Sequence, residues 1–196
     1  MLPERRLVTQ AGLLNATWER PQGWLVLTGD EQAWIASVLA EYDGGNVSAL
    51  RDDLRRFVGM AAAADRPGGR WIANLSPSTT VHNRVVAAGS IHLAPAIDLA
   101  VAERALRDSE WPPQLVSRRV ITETGRRRSS LGCYELVVGT GSSGETLLIE
   151  RCAVLTVHHS AAVTINLVVS TSDVGAFEDL SATCLAMAKS FRFDRP

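Results

Sequence analysis

Between Ala162 and Phe193 the chain changes its hydrophobic period once, and that change constrains the fold more than any other stretch. Val163, Ile165, Leu167 and Val169 alternate with Thr164, Asn166, Val168 and Ser170. Successive side chains of a strand point to opposite faces, so this is a strand with one wholly apolar face. Further on, Phe177, Leu180, Cys184, Met187 and Phe191 step by three and four residues, which is one stripe of a helix. Asp173 is the expected N-cap, Glu178 and Asp179 fall in the early turns and Lys189 in the last, an arrangement that suits the helix dipole. A strand and a helix, each with one apolar face and joined by a short link, predict a helix laid back on its own sheet.

The strands before it extend the same sheet. Cys133 to Gly139, Thr146 to Val157 and Ala161 to Ser170 follow one another through short connections, which predicts an antiparallel meander. LVSRRVITETG at 115–125 reads as a further strand, and RRRSSLG at 126–132 as a polar, basic loop. Upstream, Leu7 to Trp18 holds one or two short strands, and PQGW at 21–24 turns the chain into a strand from Trp24 to Leu27. A short helix over Trp34 to Leu39 and the breaker DGGN at 43–46 follow. Val47, Leu50, Leu54, Phe57, Val58 and Ala61 mark an amphipathic helix, capped by Asn46 or Ser48 and stopped by Pro67-Gly68-Gly69. Strands at 70–75 and 84–94 lead to a helix from Ile97 to Arg107, with Asp98 near its start and Trp111-Pro112-Pro113 at its end. The order predicts one α+β domain over residues 1–196: an antiparallel β-sheet flanked by helices, as an α/β/α or two-layer sandwich.

A chain of 196 residues buries roughly two-thirds of its unfolded surface, so it needs no disulfide or metal staple. Cys133, Cys152 and Cys184 are odd in number, lie in apolar runs and form no C-x-x-C pair, so they read as core residues. No apolar run at the N-terminus has the length of a signal peptide, and no window reaches the ~18 apolar residues of a membrane span. The expectation is a soluble cytoplasmic protein with reduced thiols. A net charge of −1 argues against general nucleic-acid binding. Lys189 is the single lysine among twenty Lys and Arg residues, a bias that fits an actinobacterial-like, high-GC genome.

A strand introduced by P-x-G-W, a meander opening at SSLGCYELVVG, a strand ending in Ser, a capped helix and a closing A-K-S-F-R-F occur in that order. The pattern resembles the Mog1/PsbP-like superfamily, which includes bacterial lipoproteins of the LpqN type. The likeness covers PQGW at 21–24 and about residues 131–193, roughly a third of the chain. It implies an α/β/α sandwich and a binding or accessory role. It supplies no catalytic residues to carry over. The lipidated N-terminus of the lipoprotein members has no counterpart here, so their envelope location is not carried over.

The chemistry-bearing motifs are sparse. GTGSSG at 139–144 matches G-x-G-x-x-G, but a strand follows it where a phosphate-binding turn requires a helix, so it reads as a hairpin loop. His158-His159-Ser160 reads as a polar turn, since adjacent histidines in a strand face opposite ways and chelate poorly. His82 and His92 lack a ligand motif, and Asp52-Asp53 lies on a solvated helix face. No catalytic, metal or cofactor residue is expected. Arg118, Arg119, Arg126, Arg127 and Arg128 place five arginines within eleven residues, a positive patch suited to an acidic protein partner. Of the five tryptophans, at least three are expected in the core, and Trp34 is assigned to a partner groove. The expected function is a non-catalytic binding or accessory protein acting on another protein in an envelope, secretion or multi-protein assembly, with homo-oligomerisation left open. The alternatives are a carrier with an apolar pocket between sheet and helices and, more remotely, a hydrolase using His159 and Ser160.

Overall fold

The computed structural model describes residues 16–41, 47–63, 70–75, 85–141 and 143–193. The expected strand residues before Ala16, the breaker at 43–46, the Asn46 cap, the Pro67-Gly68-Gly69 stop and His82 lie outside them. The chain enters through β1 (Ala16–Thr17) and β2 (Trp24–Val26), followed by α1 (Glu31–Ala40) and α2 (Val47–Ala63). Next come β3 (Arg70–Leu75), β4 (Val85–Pro95) and α3 (Leu99–Asp108). The C-terminal half holds β5 (Leu115–Glu123), β6 (Arg128–Thr140), β7 (Thr146–His158), β8 (Val163–Thr171), α4 (Leu180–Lys189) and β9 (Arg192–Phe193). Gly23, at φ +81°, makes the PQGW turn that the sequence predicts, and the Trp24 amide donates to the Pro21 carbonyl at 3.2 Å.

Seven strands form one antiparallel sheet in the order β2-β3-β4-β8-β7-β6-β5, and β1 pairs with β9 apart from it. The register defines the two faces. One continuous rung runs Leu25, Ala73, Ala88, Ser170, Arg151, Glu135, Arg118. The neighbouring rung on the opposite face runs Val26, Ile72, Gly89, Val169, Cys152, Tyr134, Arg119. α4 covers the second face. Its Leu180, Cys184, Leu185, Met187 and Ala188 pack on Cys152, Val154, Ile165, Leu167 and Val169. α1 and α2 cover the first face at the β2–β3 end, where Trp34, Ile35, Val38, Leu54, Phe57 and Val58 pack on Ala73 and Leu75. The protein is thus an α+β fold with helices on both faces of an antiparallel sheet. β8 sits at the centre because its Val163, Ile165, Leu167 and Val169 are the most completely apolar stripe in the chain, and all four are buried.

Four boundaries differ from the sequence reading. The 126–132 segment is not a loop: only 124–127 turns, and β6 begins at Arg128. Its polar residues are satisfied across the ladder, where Arg128 pairs with His158 and Ser130 with Thr156, the two hydroxyls 2.9 Å apart. Asp173 does not cap α4. Asp179 does, its carboxylate accepting from the Ala182 amide at 2.9 Å, after a link that contains Gly175 at φ +86°. Phe177 and Phe191 therefore flank α4 rather than ride on it. They still close the layer, Phe177 against Trp24 and Phe191 stacked on Trp18 with ring centroids 5.4 Å apart. Ser48 is the second residue of α2, not its cap.

Candidate functional site

A solvent-open cleft of about 690 Å³ lies at the C-terminal end of α4. The β5–β6 turn brings Arg127 to it and the first residue of β6 brings Arg128. The end of β7 supplies His158, the following turn Ser160, the last residue of α4 Lys189, and β9 Arg192 and Phe193. Glu123 is the carboxylate on this lining. Among the described residues, four cationic side chains thus line the cleft with one acid.

These cations are held in place by the helix end. The last carbonyls of a helix have no partner within it and carry partial negative charge. Arg128 donates to the Lys189 carbonyl, and Arg192 donates to the Lys189 and Phe191 carbonyls at 3.3 and 3.4 Å. Lys189 pairs with Glu123 across the cleft mouth. Arg127 is exposed in the turn: its backbone carbonyl accepts from the His159 amide at 3.1 Å, while its side chain makes no hydrogen bond or ion pair among the described residues, so its charge is free for a ligand.

His158 forms part of the floor. It is 9% exposed, and its Nε2 has no hydrogen-bond partner among the described residues. Phe193 stands edge-on to it at 4.9 Å. Burial pushes the imidazole pKa down to about 4, helped by the Arg128 and Arg192 charges and opposed by the Ala188 carbonyl. It is therefore neutral near pH 7, a buried imidazole on the lining of a positively charged cleft.

The structure separates the predicted arginines. Arg127 and Arg128 meet in the cleft, and Arg126 is exposed in the same turn but outside its lining. Arg118 points to the opposite face, where it binds the buried Glu135 at 2.8 Å and the Ser109 hydroxyl at 2.9 Å. Arg119 reaches the other end of α4, 2.6 Å from the Ser181 hydroxyl and 3.5 Å from Asp179, with its guanidinium over the Tyr134 ring. Arg118 is committed to the fold, and Arg119, half-exposed, is paired at the far end of α4, so the five arginines do not form one patch. Strand alternation sends Arg118 and Arg119 to opposite faces, and the length of β5 carries both away from the turn.

Trp34 is also a correction. It is 6% exposed, its indole N–H donates to the Val26 carbonyl at 2.8 Å, and its ring tilts against Phe57 at 5.8 Å. It is a core residue of the α1–α2 layer. The exposed tryptophan is Trp111, at 60%. His159 contacts Ser129, Nε2 to Oγ 3.1 Å, rather than Ser160, and no carboxylate orients it among the described residues. The space beneath α4, where a carrier would hold an apolar ligand, is filled by Cys152, Val154, Cys184 and Met187.

Sequence reasoning did not bring His158, Lys189 or Arg192 into the site. The available signal was the single lysine, placed at a helix end with Arg192 one turn further on. No protein-family model matches the chain, and no curated protein does either. Among the described residues no cluster of three or more His, Cys, Asp or Glu side chains could hold a metal, and no helix is long and apolar enough to cross a membrane.

Proposed function

We propose that this chain is a non-catalytic binding or accessory protein that seats an acidic segment of another protein in the cleft at the end of α4. The observation that carries the reading is the charge imbalance there among the described residues: Arg127, Arg128, Lys189 and Arg192 against Glu123. Carboxylates of a partner would meet a positive field on approach and guanidinium donors on arrival, the geometry that favours bidentate contacts. His158 supplies a neutral nitrogen for a partner N–H or O–H. In this reading the fold is a Mog1/PsbP-like sandwich and the protein works in the cytoplasm, where its three free cysteines stay reduced.

The test is binding of a fluorescein-labelled acidic peptide, Glu-Asp-Glu-Glu flanked by Gly-Ser, at two salt concentrations. Arg127→Ser should weaken binding about tenfold and flatten its salt dependence, because surface charges act over a Debye length of ~10 Å at 0.1 M salt. Arg126→Ser, outside the lining, should change it less than threefold. Equal effects from the two variants would mean that the turn acts only as a diffuse charge, and the cleft reading would fail.

A further inference from the structure

At the opposite end of α4 lies a second cavity, of about 380 Å³, with the reverse charge. Glu150, Glu178 and Asp179 line it together with Arg119, Tyr134 and Phe177. Arg118 contributes to the wall as well, but its guanidinium is spent on Glu135 on the other face of the sheet. Three carboxylates therefore face one guanidinium, and Arg119 is already engaged by Asp179 and Ser181.

Glu150 is the unexplained residue. It is 8% exposed, and the Tyr134 hydroxyl donates to its Oε1 at 3.1 Å. Its Oε2 has no hydrogen-bond partner among the described residues. A buried carboxylate oxygen left unmatched costs free energy unless a donor meets it, and a charged donor meets it best. Nothing among the described residues uses this oxygen. Glu150 itself lines the cavity, so a cationic donor seated there would lie beside this carboxylate.

The surroundings specify the donor. The Tyr134 ring already carries the Arg119 guanidinium, and Phe177 beside it offers further aromatic surface that accommodates the alkyl stem of a second cation. Along the same face the next ladder pairs are Glu150 with Leu136 and Leu148 with Val138. Leu148 and Val138 are exposed apolar residues, at 46% and 38%. An anionic cavity thus opens onto an apolar shelf at the end of the β6–β7 hairpin.

The geometry points to a pocket for a basic side chain: a primary ammonium or guanidinium on an alkyl stem, presented by a protein segment whose neighbouring apolar residues lie on Val138 and Leu148. The inference is independent of the anionic partner assigned to the other end of α4, since the two sites share no lining residue.

Amide chemical-shift titration of the full chain tests it with three probes: acetyl-Leu-Lys-Leu-amide, its norleucine analogue, and n-butylammonium alone. The lysine peptide should shift the amides of Tyr134, Leu148 and Glu150, and the norleucine peptide should bind at least tenfold more weakly. Glu150→Gln keeps size and the Tyr134 contact, and it should reduce affinity for the lysine peptide about tenfold. Asp108→Asn, a carboxylate outside the cavity, should leave that affinity within twofold. Saturation by n-butylammonium as tight as by the lysine peptide would assign the pocket to free amines rather than to a protein segment, and so overturn the partner. Shifts scattered over the surface, or equal affinity in Glu150→Gln, would overturn the pocket itself. Unchanged amide shifts of Glu150→Gln away from the cavity show that the variant is folded, whatever the acidic peptide does at the other site.

Discussion

Glu135→Ala should be among the most damaging single substitutions in this protein, although Glu135 touches neither cleft. Three strands present one rung on the face opposite α4: Arg118 on β5, Glu135 on β6 and Arg151 on β7. Glu135 is 5% exposed. Its Oε1 accepts from Arg118 Nε at 2.9 Å and its Oε2 from Arg151 Nε at 3.0 Å. The two arginines are not equivalent. The Arg118 side chain is 10% exposed, whereas that of Arg151 is 51% exposed. Removing the carboxylate strands the Arg118 charge in a buried site, and breaking such a pair from one side costs about 3–5 kcal/mol. Arg151→Ala removes a half-solvated partner and should cost about 0–1 kcal/mol. The double substitution Arg118→Met/Glu135→Leu leaves no stranded charge and should recover most of the loss. Urea unfolding at pH 7, read as the midpoint at constant slope, measures all three. If Glu135→Ala cost no more than Arg151→Ala, the rung would be a solvated surface pair and the burial argument would be wrong. Burial pushes the Glu135 carboxyl up, but hydrogen bonds and charge from Arg151 and Arg118 outweigh it and hold the pKa below its ordinary 4.5. The unfolded chain takes up this proton first as pH falls. The rung's contribution is therefore present above pH 4.5 and disappears as the pH drops through the folded value.

His158 titrates in a different window. Its folded pKa of about 4 lies below the ordinary 6.5, so the unfolded state binds the proton first and stability should fall between pH 6.5 and 4; urea midpoints at pH 7.5 and 5 should converge in His158→Leu. Gly89→Ala should destabilise by roughly 1–3 kcal/mol, since a Cβ there would lie 2.3 Å from the Val168 carbonyl oxygen and must push two central strands apart; thermal unfolding reads it. Leu180→Ala, at 2% exposed, should cost about 2–5 kcal/mol and Glu178→Ala, in the exposed link before α4, under about 1 kcal/mol; a larger loss for Glu178→Ala in urea unfolding would refute the placement of Leu180 in the core and of Glu178 on the surface.

Period carried most of the architecture. The alternation in β8 and the stripe of α2 identified buried faces because burial is what the period records. Segments whose polar residues are satisfied by a partner strand carried no such mark. Arg128, Ser129 and Ser130 look like a loop in sequence, and only the register with Thr156, Val157 and His158 makes them a strand. The α4 cap failed for a related reason: Asp173 and Asp179 both fit the cap pattern, and the geometry of the 172–179 link decides between them. Of the candidate site, the charge type was readable but the grouping was not. Arg127 and Arg128 share a cleft with Lys189 and Arg192 through a helix end some sixty residues away in sequence. Glu150 gave no sequence signal at all, since a carboxylate in a strand is indistinguishable from a solvated one until its neighbours are placed.

The order of the sheet has a kinetic consequence. β5 to β8 are joined by short turns and close locally, each strand finding its partner within a few residues of chain. β2, β3 and β4 join that meander through one ladder, where Gly89 meets Val169 across eighty residues. Closing a loop of that length costs on the order of 4 kcal/mol in chain entropy before any contact compensates it. The C-terminal meander should therefore assemble first, and docking of β4 on β8 should limit the rate. During synthesis the order is reversed: β4 leaves the ribosome about seventy residues ahead of its partner strand, with Val86, Ala87 and Ile91 unprotected and its edge unpaired. A nascent chain arrested between β4 and β8 is the species in which this protein would be most prone to aggregate and most dependent on a chaperone.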